Sequence, residues 1–204
     1  MNRADWDERH GDDTRRWSGE ASRILVAEAA DLEPGRALDL ACGQGRNAAW
    51  LAELGWRVTA VDFSQVAIEK ARARAVERGV EVEWVHADLL EFEPRPSAYG
   101  LVLVFYLHVP LADRRAVLRS AMRALAPGGT FLLVGHDRSN LERGHGGPHD
   151  PAVLYTSTDI VADLPGLEIE RAAVVERPVQ TDEGERIALD VLVRARKPVT
   201  ASGS

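Results

Sequence analysis

Leu101-Val102-Leu103-Val104-Phe105 is apolar at every position. A strand with one wet face alternates apolar and polar residues; a strand without alternation must be covered on both faces. A parallel sheet with helices packed on each side provides that cover, and the rest of the chain agrees with it. Ala37-Leu38-Asp39-Leu40-Ala41 is a short apolar run that ends in a glycine turn. Val58-Thr59-Ala60-Val61, closed by Asp62, and Phe131–Val134 read as further strands. Val80, Val82 and Trp84 alternate with Glu81 and Glu83, which predicts a half-exposed strand. Helical spacing separates these runs. It covers Asn47–Leu54, then a segment capped by Ser64 and halted near Arg78 by Gly79. A third helix carries Val117, Leu118, Ala121, Met122 and Leu125 on one face and is expected to end at Pro127-Gly128-Gly129. Near the end, Leu167–Val175 and Arg186–Arg194 bracket a polar turn at Thr181–Glu185, a β-hairpin signature. Alternating strands and helices followed by a hairpin predict a doubly wound, mostly parallel α/β sheet whose ligands sit at the carboxyl ends of the strands.

The chain of 204 residues has the size of one domain. Its formal net charge of -7 makes it a poor electrostatic partner for a phosphate backbone, so nucleic acid is not an expected partner. Cys42 is the only cysteine, which excludes an intrachain disulfide and a cysteine-rich zinc site and permits a cytoplasmic address. The longest apolar run, about Leu101–Leu111, is far short of the roughly 20 residues a membrane span needs. The stretch Met1–Arg16 is charged throughout and lacks an apolar signal core. Residues 1–30 are expected to form a helical lid segment, 31–198 the main domain and 199–204 a disordered tail, in a monomer or homodimer.

The sharpest local signal is Asp39-Leu40-Ala41-Cys42-Gly43-Gln44-Gly45-Arg46-Asn47. Glycines at a strand-to-helix turn let backbone approach a ligand closely, and the helix that follows offers free N–H groups. Asp62, ending the next strand, is placed to accept hydrogen bonds from both hydroxyls of a ribose. Gly43-x-Gly45-x-x-Ala48 formally matches a dinucleotide fingerprint. Asp39 argues against a pyrophosphate, however, and for a cofactor that carries an ammonium group.

Asp39-Leu40-Ala41-Cys42-Gly43-Gln44-Gly45 resembles the first motif of the class I S-adenosylmethionine-dependent methyltransferases, with Ala41 in place of the usual first glycine. That resemblance implies a Rossmann-like doubly wound sheet of seven strands with a C-terminal antiparallel hairpin, and S-adenosyl-L-methionine as cofactor. It implies that Asp62 holds the ribose and that Asp88, in His86-Ala87-Asp88-Leu89, meets the adenine. Ala124–Gly129 before Phe131 is similar to the family's late helix–turn–strand signature. The cofactor set implied is Asp39, Ala41, Cys42, Gly43, Gly45, Arg46, Asn47, Asp62, Phe63, Asp88, Leu89 and Phe105, with Trp17 from the lid. Gly43-Gln44-Gly45-Arg46-Asn47, the opening Trp6-Asp7-Glu8-Arg9-His10 with Trp17-Ser18-Gly19, and Gly184–Ile187 resemble the small tellurite-resistance and thiopurine-type enzymes. The implied reaction is in-line methyl transfer to a small molecule: a thiol, a metalloid oxyanion or a small oxygen or nitrogen nucleophile.

Phe105, Tyr106 and His108 follow the fourth strand, at the ligand face, and Tyr106 and His108 are the candidate catalytic residues. Cys42, Trp50, Trp56 and Trp84 read as packing residues. His136, His145 and His149 with Asp137 and Asp150 match no standard metal-ligand spacing, and no metal is expected. Gly135–Tyr155 reads as a long loop over the acceptor pocket. Two other functions fit the same residues: a nicotinamide-dependent oxidoreductase, and a protein that binds S-adenosylmethionine without transferring its methyl group.

Overall fold

The computed structural model describes residues 3–12 and 19–199, so Trp17 and residues 200–204 of the expected tail lie outside the described residues. Seven strands form one sheet: β1 (Arg36–Leu40), β2 (Arg57–Asp62), β3 (Glu83–His86), β4 (Tyr99–Phe105), β5 (Leu125–His136), β6 (Glu168–Thr181) and β7 (Gly184–Arg196). Their order is β3-β2-β1-β4-β5-β7-β6. The first five in that order run parallel, while β7 pairs antiparallel with both β5 and β6. The chain winds outward from β1 to β3, then returns to the other side of β1 with β4. The switch point therefore opens between the carboxyl ends of β1 and β4.

Period-two alternation assigns each strand's residues to two cores. Leu38, Leu40, Val102, Val104, Phe131 and Leu133 face α5 (Leu111–Ala124) and α7 (Ser157–Ala162). Ala37, Leu101, Leu103, Phe105 and Leu132 face α2 (Arg23–Glu28) and α3 (Arg46–Glu53). Between β2 and β3 lies α4 (Gln65–Arg78). Its N-cap Ser64 accepts the Ala67 N–H, and its C-cap Gly79 is left-handed at φ 65, as the sequence implied. Trp56 is buried in the second core, and Trp50 and Trp84 pack against it.

Three expectations need correction. The Gly79 cap sends the Val80 N–H back to Ala75, so Val80 and Val82 precede the strand and pairing starts only at Glu83. Pro127-Gly128-Gly129 does not end the helix: α5 stops at Ala124, and β5 runs through all three residues. The motif is instead where the β4–β5 register shifts, between Tyr99 and Leu101. Gly128 is left-handed at φ 75, and a Cβ on Gly129 would stand 2.9 Å from the Ala126 and Tyr99 carbonyls. The segment after Gly135 is not a plain loop. It contains α6 (Asn140–Arg143), a 3-10 turn (Pro151–Val153) and a parallel bridge from Asp137 to Tyr155. Tyr155 is fully buried, and the site of its hydroxyl is open only because Gly135 has no side chain.

Gly45 tests this packing. It is left-handed at φ 72, and a Cβ would lie 2.3 Å from Trp84 Cη2 and 2.8 Å from Ala71 Cβ. Gly45→Ala should therefore cost about 3 kcal/mol or more, backbone strain and overpacking together. Gly55→Ala, left-handed at φ 86 with open space around it, should cost about 1–2 kcal/mol. Urea unfolding of both variants measures the difference.

Candidate functional site

A cavity of about 710 Å³ occupies the switch point. Its floor is the turn after β1. Ala41 holds a left-handed φ of 63 and Gly43 one of 53, so Ala41 sits in a conformation that favours the glycine it replaces. Gly43 lines the cavity, whereas Gly45 is turned away and packs against Trp84: its freedom serves the turn and the α3–α4 contact, not a ligand. Cys42 reaches the wall, but burial, Asp39 and Asp62 push its thiol well above the ordinary value, as suits a packed group.

Two carboxyl groups face this floor. Asp62 accepts the Gly43 N–H through Oδ2 (2.8 Å) and the Ser64 N–H through Oδ1 (2.9 Å). Burial raises its pKa, and these backbone bonds oppose the rise. Each oxygen keeps a further lone pair for a ribose hydroxyl. Asp39 is 1% exposed, and neither of its oxygens has a hydrogen-bond partner among the described residues. Burial, then Asp62, raise its carboxyl to about 7, with Arg46 pulling the other way. A buried carboxyl left unpaired is costly unless a ligand supplies the partner.

The other expected cofactor residues reach the same space. Phe63 follows β2, and Asp88 and Leu89 follow β3. Asp88 Oδ1 accepts the Leu90 N–H. Arg46 and Asn47 open α3 onto the cavity, with burial lowering the Arg46 pKa and the Asn47 Oδ1 already accepting the Ser22 N–H. α1 (Arg3–Gly11) contributes Trp6 and His10, stacked with centroids 5.7 Å apart. The sequence had pointed to this segment through its aromatic content. It gave no sign that His10 would stand 3.7 Å from the place a Gly43 side chain would take.

The candidate catalytic residues line the far end but are already engaged. Tyr106, at a left-handed φ of 56, donates its hydroxyl to Asp190 Oδ2 at 2.8 Å, and burial drives its pKa up. His108 stacks between His136 and Tyr155. Its Nε2 accepts the His136 N–H, its Nδ1 faces the Val153 carbonyl, and burial lowers its pKa to about 4. The Tyr106 hydroxyl proton and both ring nitrogens of His108 are thus already engaged in this structure. Sequence reasoning missed Asp190, fully buried on β7, which also binds Arg177 Nε at 2.6 Å. It also missed Asp113, a half-buried carboxylate at the cavity's rim with no hydrogen-bond or ion-pair partner among the described residues. In the sequence Asp190 stood at an ordinary alternating position and Asp113 in a helical first turn. Among the described residues no three His, Cys, Asp or Glu side chains converge as a metal site would require. Among the described residues no helix is long and apolar enough to cross a membrane.

A doubly wound sheet with a glycine turn and buried carboxyl groups on two neighbouring strands is an architecture that binds nucleoside-containing cofactors at its switch point. Residues 37–129, a little under half of the chain, match the family model described as a methyltransferase domain. The 2-heptyl-1-hydroxyquinolin-4(1H)-one methyltransferase of Mycobacteroides abscessus is 30% identical over 118 residues, 56% of this chain and 52% of that protein. The chain spans about half the length of the curated relatives it matches. A solved structure described as "Conversion of a Disulfide Bond into a Thioacetal Group during Echinomycin Biosynthesis" aligns with a TM-score of 0.72 at 25% identity, covering 90% of this chain and 84% of that one. TehB from Haemophilus influenzae aligns with a TM-score of 0.70 at 19% identity, covering 86% and 62%, a likeness of fold.

A ligand ammonium group held by Asp39 would make its binding depend on pH. The Asp39 carboxyl, raised to about 7, is protonated in the empty site below that pH, and an ammonium group is held only by the anion. Calorimetry should show the affinity for S-adenosylhomocysteine rising with pH by up to about tenfold per unit between roughly pH 5.5 and 7, then levelling. Asp39→Asn should flatten the profile. In the empty protein the sign is the opposite: the folded state holds this proton more tightly than the unfolded state. The associated stability is present below the ordinary carboxyl value and is lost as pH rises through about 7.

Proposed function

We propose that this chain transfers the methyl group of S-adenosylmethionine to a small, flat aromatic acceptor that carries a hydroxyl or thiol. The observation that carries the proposal is the unpartnered, buried Asp39 carboxyl in a cavity that continues into a compartment of mostly apolar and aromatic side chains. The donor set fits the cofactor: Asp39 would take its ammonium group, Asp62 the ribose and Asp88 the adenine. When bound, the cofactor supplies a sulfonium-activated methyl group. Phe105, Leu107, Val109, Val117 and Val153 exclude water from the transfer and set the acceptor in line. The Mycobacteroides abscessus relative is named for a hydroxylated heteroaromatic substrate, which supports the same acceptor class for this chain.

With Tyr106 and His108 engaged, we assign the removal of a proton from a hydroxyl acceptor to Asp113. A thiolate needs no base. Residues 1–30 act as a lid through Trp6 and His10, 31–198 form the transferase domain, and a cytoplasmic role fits the single, unbridged thiol of Cys42. Both other functions are separable. Preferential binding of NADH over S-adenosylhomocysteine in calorimetry would overturn the assignment. A protein that bound the cofactor but labelled nothing in a screen of aromatic hydroxyls, thiols, metalloid oxyanions and amines with methyl-labelled S-adenosylmethionine would be a non-catalytic binder. We expect label on aromatic hydroxyls or thiols. Asp113→Asn should lower transfer to a hydroxyl acceptor by about 100-fold or more and leave transfer to a thiol within a few fold, whereas His108→Gln should spare both.

A further inference from the structure

Ser64 lies at the start of α4 and is fully buried. Its N–H donates to Asp62 Oδ1, the acid assigned to the cofactor's ribose. Its Oγ accepts the Ala67 N–H, as an N-cap does. Its hydroxyl proton goes to Asp7 Oδ1 on α1, and the same oxygen lies 3.4 Å from the Val66 N–H. Asp7 is thus a second carboxylate at the α4 N-terminus, supplied from another helix and favoured there by the exposed N–H groups and the helix dipole. One turn further along α1, His10 is buried over Gly43, in the field of Asp62 and Asp7, with burial lowering its pKa. Trp6, beside Asp7, lines the cavity, while Asp7 itself does not.

We propose that Asp7 is a positioning residue for the cofactor, a latch that pins α1 to the first turn of α4 so that Trp6 and His10 close the cavity over it. This rests on the cofactor assignment above. The geometry couples the two acids through one residue: Ser64 gives its amide to Asp62 and its hydroxyl to Asp7, so the strap and the ribose acid share a support. Asp7 acts only through α1. Its loss leaves Asp39, Asp62 and Asp88 in place and removes the bonds that keep the helix down. The signature is therefore kinetic, with the cofactor leaving faster while its rate of entry is little changed.

Stopped-flow and calorimetric binding of S-adenosylhomocysteine to the full chain test the latch, alongside hydrogen exchange of the empty protein. Asp7→Ala should weaken binding about tenfold through faster dissociation and should raise exchange across residues 3–11 without raising it in the body of α4. Asp7→Asn keeps an acceptor oxygen for Ser64 and Val66 and should recover much of the loss. The melting temperature should move little in either variant, which separates release of the strap from general destabilisation. Wild-type dissociation rates in Asp7→Ala, or unchanged exchange across residues 3–11, would overturn the proposal. The exchange result stands without any ligand: released exchange in a wild type that failed to bind S-adenosylhomocysteine would support the latch and count against the cofactor assignment instead.

Discussion

One carboxylate ties the loops of this molecule together. Asp62 ends β2 almost fully buried and binds two backbone amides, Gly43 from the turn after β1 and Ser64 at the start of α4. Without those partners its burial would be prohibitive, because a desolvated carboxylate without hydrogen bonds neutralises or pulls the structure apart. With them, it fixes the separation of the carboxyl ends of β1 and β2 and orients the glycine turn. The shape of the crevice at the switch point follows from this one side chain, and so does the surface on which α1 rests.

The opposite wall obeys the same logic with different groups. Asp190 is fully buried on β7 and gathers Tyr106, Arg177 and, at ion-pair distance, His136. The Arg177 guanidinium lies over the Tyr106 ring at 5.4 Å. Tyr106 would not otherwise keep a left-handed backbone, which is strained for any residue with a bulky Cβ, and the cluster is what holds it there. His108, stacked between His136 and Tyr155, extends this rigid surface toward the cavity.

The legible part of the sequence was whatever follows from local rules. The unalternated Leu101–Phe105 run, the Ser64 and Gly79 caps and the polar turn before β7 each depend on a few neighbouring residues, and each stands in the structure. So does the placement of Asp39, Asp62 and Asp88, because strand ends in a doubly wound sheet must converge. What was not legible depends on partners far along the chain. His108 is engaged by the backbone of Val153 and His136, and Tyr106 by a residue 84 positions away. Pro127-Gly128-Gly129 looks like a helix stop in isolation; only the neighbouring strand reveals it as the site of a register shift. Gly45 reads as a ligand-contact glycine until Trp84 is seen to fill the space above it.

The contact between Tyr106 and Asp190 also bears on how the protein is made. Every acid assigned to the cofactor precedes residue 90, while the acceptor wall waits for β7, the last strand of the sheet and one that must insert between β5 and β6. A chain emerging from the ribosome completes β1, β2 and β3 early and carries an unbraced Tyr106 until β7 arrives. Pairing β7 with β5 then closes a long loop, the slow kind of step that long-range strand pairing imposes. Loss of β7 would therefore leave the Asp39 and Asp62 side of the crevice in place while Tyr106 lost the partner that fixes its side chain.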